Sequence, residues 1–367
     1  MSYEPSQPVD AASRADRIAG ALLGTAVGDA IGLPREGLSR RRAAMLFGGP
    51  PLRHRLLFGR GMVSDDTEHA CMTAQALLSS GGDVRRFERS LAWRLRGWLL
   101  GVPAGVGMAT ARATMKLWLG FPPGRSGVWS AGNGPAMRAA VIGAWTAGED
   151  VRRLAELVRA STRLTHTHPA AEQGAVVVAM AARLGLAAGP AGVEPSSFLD
   201  SVRPLVTEAD LWDRLKIAAE CAASGATAEA FLRAVDLDAG VTGWICHTVP
   251  AAVFCWLRWP GDSRTAVEQA VCMGGDADSV GAVTGGIVGA TVGADVIPRE
   301  WLDGLAEWPR SVAWLRRLAE RLARTAEPGR NGPQAALPLM WPALVPRNLL
   351  FLGVVLLHGV RRLLPPY

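Results

Sequence analysis

A chain of 367 residues with 49% hydrophobic and 20% charged side chains can bury a sizeable core and is too apolar to stay disordered. Its 42 glycines and 24 prolines exclude a coiled coil and follow no collagen period. The formal charge is +6, carried almost wholly by arginine, since Lys116 and Lys216 are the only lysines among 39 basic residues. No basic run alternates with aromatics, so a nucleic-acid partner is disfavoured though not excluded. Arg40-Arg41-Arg42 and Arg53-His54-Arg55 read first as compositional bias and second as grips for phosphate. Cys71, Cys221, Cys246, Cys255 and Cys272 are odd in number and form no C-x-x-C pair, which argues for a reducing cytoplasm.

Residues 1–13 carry no apolar run and read as a loose tail rather than a signal peptide. A helical stretch follows in which Gly20, Gly24, Gly28 and Gly32 recur every fourth residue. Gly281, Gly285, Gly289 and Gly293 repeat that ladder near the other end of the chain. Four helical glycines cost about 3–4 kcal/mol against alanine, so a compensating gain is required. Residues at i, i+4 and i+8 share one face, and a glycine face lets a second backbone approach closely. The two ladders are therefore expected to meet at the centre of the fold. If they run antiparallel, Asp29 comes close to Asp276 and Asp278. Asp29 lies on the inward stripe of Ile18, Leu22 and Thr25, and a buried carboxylate needs a cation or several donors. Glu36, just beyond, reads as a general acid/base or as a solvated loop acid.

Further along, residues 85–99, 154–164, 169–186, 211–221 and 312–322 repeat apolar side chains at helical spacing. Loops are expected at 48–51, 120–134, 187–197 and 327–338, and no alternating strand is found. All-α is the expected class. The expected domain runs over 14–325, with a linker at 326–338 and an apolar helical extension at 339–367. Residues 348–360 are apolar on every side and, as a helix, reach ~20 Å, short of the ~30 Å of a bilayer core. A buried or subunit-interface helix is favoured over a membrane-surface anchor.

Ser64-Asp65-Asp66-Thr67 and Asp276-Ala277-Asp278-Ser279 each place two acids and a hydroxyl at a helix start, where the dipole keeps carboxylates ionised. Each alone is an ordinary cap. Taken together with Asp29, they form a set of oxygen ligands without Cys or His, which suits Mg²⁺, Mn²⁺ or Ca²⁺. Two clusters of matched design suggest two ions. EF-hand, Walker A and G-x-S-x-G patterns are absent, and Gly105-Val106-Gly107-Met108-Ala109-Thr110 lacks the third glycine of a dinucleotide fingerprint. Gly132-Asn133-Gly134-Pro135 opens an expected helix at 136–145, whose free N–H groups, helped by Arg138, suit a diphosphate. Of His166 and His168, one is expected to hydrogen-bond substrate, or else to cap a helix.

These motifs, in this order, resemble the ADP-ribosylglycohydrolase family, the kind that includes the dinitrogenase reductase-activating glycohydrolase. The resemblance covers about residues 17–325. It implies a compact orthogonal multi-helix bundle with a binuclear Mg²⁺ or Mn²⁺ cleft, the ligands being Ser64, Asp65, Asp66, Asp276, Asp278 and Ser279. It further implies that Asn133, Gly134 and His166 bind ADP-ribose and that Glu36 is the candidate catalytic carboxylate. Glu36, or a metal-held Asp65 or Asp278, would manage the proton. Asp29 and Arg138 complete the expected substrate contacts. Ala277 replaces a threonine common in the family, and the tail after Glu327 lies outside its core. The implied activity is cleavage at the anomeric carbon of ADP-ribose on a protein or small molecule. A non-catalytic ADP-ribose-binding module and a divalent-metal phosphohydrolase are the alternatives.

Overall fold

The computed structural model describes residues 11–326 and 332–363. Among them lie seventeen α-helices and no strand, only isolated bridges between loops. In chain order the helices are α1 (Ala11–Gly32), α2 (Arg40–Phe47), α3 (Asp65–Ser80), α4 (Val84–Leu100), α5 (Met108–Trp118), α6 (Ala140–Trp145), α7 (Val151–Arg163) and α8 (Pro169–Ala188). They continue with α9 (Pro195–Val202), α10 (Ala209–Ala223), α11 (Ala228–Ala234), α12 (Ile245–Arg258), α13 (Ser263–Cys272), α14 (Ala277–Val292), α15 (Arg299–Gly304), α16 (Val312–Thr325) and α17 (Leu344–Arg361). The class is all-α, as expected.

The two glycine ladders meet along an antiparallel central pair, α1 against α14. A Cβ at Gly20, Gly24 or Gly28 would overlap the carbonyl oxygen of Gly289, Gly285 or Gly281 in turn, and Gly32 lies against Ala277 and Asp278. Backbone meets backbone with no side chain between them, so dispersion between the two helices offsets the glycine cost. Every residue of α14 is buried. Helices α3 and α16 cover α1, while α8, α12 and α13 cover α14. Both ladder helices finish, at opposite chain polarity, at the end where Gly32 faces Asp278. That end carries the site.

Local signals account for most helix limits. Asp83, Asp150 and Ser311 cap α4, α7 and α16 by accepting from Arg86, Arg152 and Trp314 N–H at 2.8, 2.9 and 3.2 Å. The expected helix at 136–145 divides into a 3₁₀ turn (Ala136–Arg138) and the short α6. The first ten residues of the expected tail lie outside the described residues, and the chain is already helical from Ala11. Residues 327–331 of the expected linker and 364–367 of the extension lie outside them too. From 332 on, the linker is strapped to the bundle rather than loose. Gln334 N donates to Leu78 O at 3.0 Å, and the Gln75 amide pairs with both backbone groups of Leu337 at 2.8 and 2.9 Å.

Helix α17 is one-sided, not apolar all round. Buried Arg347 donates to Glu307 at 2.7 and 2.8 Å and to Val63 O at 2.6 Å, while Asn348 donates to Gly101 O at 2.8 Å. Phe351 and Val354 pack with Leu33, Leu56, Met62 and Ala104. The opposite face is open.

Candidate active site

At the loop end of the central pair lies a cavity of about 340 Å³ lined by Glu36, Asp65, Asp66, Asn133, Gly134, His166, Asp276, Asp278 and Ser279, among others. The N-terminus of α3 forms one wall. Ser64 caps it: its hydroxyl accepts from Asp66 N–H at 3.2 Å and donates to Asp66 Oδ2 at 3.1 Å. The N-terminus of α14 forms the other. Ser279 Oγ donates to the same Asp66 Oδ2 at 3.2 Å, joining two motifs 213 residues apart. Asn133 Nδ2 donates to Asp276 Oδ2 at 2.6 Å and to Thr248 Oγ1 at 3.0 Å, which ties a third segment to the cluster.

Carboxylate oxygens of Asp29, Asp66 and Asp278 lie within 4.8 Å of one another, and so do those of Glu36, Asp276 and Asp278. Burial pushes the Asp65, Asp66 and Asp278 carboxyls well above the usual range, and repulsion from neighbouring acids pushes them further. Glu36 is raised by burial and by Asp276, against a weaker pull from Arg362. Asp66 Oδ1 and Asp278 Oδ1 are buried without a hydrogen-bond partner. Among the described residues no ion pair engages Asp65, Asp66, Asp276 or Asp278. Orphaned carboxylate oxygens, converging and unneutralised, are a donor set that fits hard divalent cations.

The loops beneath the acids are held by glycine geometry. Gly274 and Gly275 both have left-handed φ (72° and 74°), and a Cβ at Gly275 would strike the backbone of Val241. Gly275 N–H donates to Leu38 O at 2.9 Å, and Gly275 O accepts from Gly37 N–H at 2.7 Å. The Glu36 turn is thereby clamped beside Asp276.

Two expected substrate contacts need correction. Asp29 is wholly buried and does not line the cavity. It accepts from Ser64 N–H at 2.9 Å and from Thr67 N–H and Oγ1 at 3.2 and 2.5 Å, so it fixes the α3 turn that presents Asp65 and Asp66. Burial still raises its carboxyl to about 7. Arg138 is also wholly buried: it sits in the tight 3₁₀ turn and does not line the cavity. It donates to Ser161 Oγ, Ser161 O and Thr165 Oγ1 at 2.9, 2.9 and 2.7 Å and meets His69 Nδ1 at 2.9 Å. Its influence on the cavity is indirect. Thr165 Oγ1 also bonds His166 Nδ1 at 2.9 Å, and burial, then Arg138, lowers His166 to about 3, so its ring is neutral. That ring lies against Gly132 and Gly134, where a Cβ would come within 3.2 and 3.1 Å. The histidine pair divides its work: His166 lines the cavity, while His168 Nδ1 caps α8 by accepting from Ala170 N–H at 3.1 Å.

The ADP-ribosylglycohydrolase family profile matches residues 10–331. This chain belongs to that family. Its relatives include an uncharacterized protein of Archaeoglobus fulgidus, 32% identical over 78% of this chain and 90% of that one. An ADP-ribosylarginine hydrolase of Pseudomonas putida is 29% identical, over 84% and 78%. The ADP-ribosyl-[dinitrogen reductase] glycohydrolase of Rhodospirillum rubrum is 27% identical, over 79% and 90%. A solved structure titled ADP-ribosylglycohydrolase-related protein complex superposes with a TM-score of 0.64 at 29% identity, covering 86% of this chain and all of the other. The present ADP-ribosylglycohydrolase is thus a glycohydrolase enzyme, and α17 lies beyond the span that the family profile matches.

In this ADP-ribosylglycohydrolase the cavity wall also takes Gly105, Gly107, Met108, Thr110, Ser130, Met137 and Gly243, none of them singled out from the sequence as site residues. The first four belong to the glycine-rich stretch that fails as a dinucleotide fingerprint. Its signal was an exposed glycine pair before a helix, without a motif to give it meaning. Gly243 carries no local signal at all. A Cβ there would come within 3.2 Å of Asp276 Oδ2 and press on that carboxylate.

Proposed function

We propose that this glycohydrolase hydrolyses the bond at the anomeric carbon of ADP-ribose, releasing it from a modified protein or small-molecule acceptor, and that two divalent ions, Mg²⁺ or Mn²⁺, are needed. The observation that carries the reading is the convergence of Asp65-Asp66 and Asp276-Asp278 on one cavity, bridged by Ser279 and leaving buried oxygens unpartnered. Ser64, Asp65, Asp66, Asp276, Asp278 and Ser279 would hold the ions, which when bound supply charge stabilisation for a substrate oxygen or a water.

The chain's own residues supply the rest. Asp29 and Ser64 hold the α3 turn rigid, and Asn133 fixes Asp276. Neutral His166, locked by Thr165 and Arg138, offers a hydrogen bond without charge to the ADP-ribose. Glu36 keeps its proton to a higher pH than an exposed glutamate, as a general acid must while the bond opens toward an oxocarbenium-like state. Retention of oxygen side chains at all six ligand positions supports turnover over binding alone. We place its work in the cytoplasm, consistent with five free cysteines. The test is a panel of ADP-ribosylated arginine, serine and nucleotide substrates with and without EDTA. Chelator-sensitive release of ADP-ribose from any of them supports the reading. Binding without release, or phosphate release instead, refutes it.

A further inference from the structure

The open face of α17 is unpartnered: Leu349, Leu350, Leu356, Leu357 and Val360 are each more than half exposed and follow one another at helical spacing. Beside this helix, tied to it by a 2.7 Å hydrogen bond between His358 Nε2 and Leu56 O, runs the tight Leu57–Arg60 turn. Phe58 stands at its tip, fully exposed. Arg60 closes this turn, Arg53 and Arg55 precede it within five residues of Phe58, and Arg361, in the last turn of α17, lies over the Phe47 ring at 5.8 Å; all four are exposed.

The sequence around this surface is depleted of one charge. There is no Asp or Glu between Glu36 and Asp65, between Glu88 and Glu149, or after Glu327. These three stretches fold together here, through the cluster of Leu56, Met62, Ala104, Phe351 and Val354 and the Asn348 bond to Gly101. Of the acids nearby, Glu68 and Glu307 are buried and paired with Arg310 and Arg347, exposed Glu300 is paired with Arg264, Glu36 lines the active-site cavity within the field of Arg362, and Asp303 is exposed. An apolar helix face, an aromatic loop tip and flanking segments that carry arginine but no acid of their own together point to one kind of partner.

We propose that this face docks the protein on an anionic lipid surface, with α17 lying in the membrane interface. A second copy of the chain fits less well, because a two-fold contact would bring the same arginine collars together. Nor does the helix span: its 18 residues reach ~27 Å, and crossing would tear buried Arg347 from Glu307. A single apolar element binds membranes only marginally, and stable association takes a second, basic signal. Both are present.

The test is co-sedimentation of the full chain with vesicles of phosphatidylcholine alone or mixed with phosphatidylglycerol, with sedimentation velocity in parallel. The expected result is binding to the mixed vesicles only, weakened by salt. It should fall at least about tenfold in Phe58→Ser and in the Leu356→Ser/Leu357→Ser double variant, with melting temperatures unchanged. The Arg53→Ser/Arg55→Ser variant, which alters exposed charge alone, should lose the preference for anionic lipid. Absence of binding, equal binding to both vesicles, or a dimer that the leucine substitutions dissolve would overturn the proposal.

Discussion

Replacing Gly24 by alanine adds one methyl group where the two central helices touch. The new Cβ would overlap Gly285 O, lie 2.7 Å from Gly285 C and 3.4 Å from Gly289 Cα. Every obstacle is backbone, so no rotamer change relieves the clash, and α1 and α14 must move apart over their length. Overpacking of this unrelieved kind costs about 3 kcal/mol. The substitution also recovers about 1 kcal/mol of helix propensity, which leaves a loss of ~2 kcal/mol. At ~2.1 cal/mol/K of unfolding entropy per residue, a domain of this size then melts about 3 °C lower. The control is Gly353→Ala in α17, where a Cβ meets nothing within 4 Å and propensity acts alone, so the midpoint should rise or hold. Scanning fluorimetry of both variants distinguishes the two outcomes by sign. A melting temperature for Gly24→Ala equal to or above wild type would refute the close-packed ladder.

Three further outcomes follow from the site. Asp278→Asn and Asp66→Asn should cut turnover by about a thousandfold, the scale of several kcal/mol of lost charge stabilisation. The chelated variants should melt no lower than chelated wild type, because each removes a buried, repelled charge. Asp29, Asp65, Asp66 and Asp278 all have folded pKa values above their unfolded ones, so the folded state binds the extra protons. Asp29, raised to about 7, has given up its share by that pH; above it, where the buried histidines no longer act on stability, Asp65, Asp66 and Asp278 carry the further fall in the melting temperature of chelated protein, and saturating Mg²⁺ should flatten it. A rise with pH in EDTA would contradict the assignment. Arg138→Lys keeps the charge but loses the fork that holds Ser161 and Thr165, so KM should increase about tenfold through a loosened His166, measured by steady-state kinetics.

How much of this was legible in the sequence depends on how local the cause is. The ladders were, because glycine every fourth residue has one geometric use, whereas their antiparallel sense entered only as a condition that the fold meets. That Asp29 points inward was legible too, but its partners Ser64 and Thr67 lie 35 and 38 residues on, and only the fold shows that donors satisfy it. Arg138 was misplaced because the sequence of a 3₁₀ turn and that of a helix start are alike. Helix α12 was not singled out because Pro250 sits within it, and α2 because it opens on three arginines. The sidedness of α17 rests on the inward bonds of Arg347, Asn348 and His358 and on the packing of Phe351 and Val354. In a mostly apolar helix, polar residues near either end that point inward look like flanks.

The claim on which the function depends is that these acids jointly hold divalent ions. Isothermal titration of chelator-treated protein with Mn²⁺ measures it directly, and wild type should take up two ions per chain, with uptake lost in Asp66→Asn and Asp278→Asn. Absence of saturable uptake, or uptake unchanged in both variants, would contradict it.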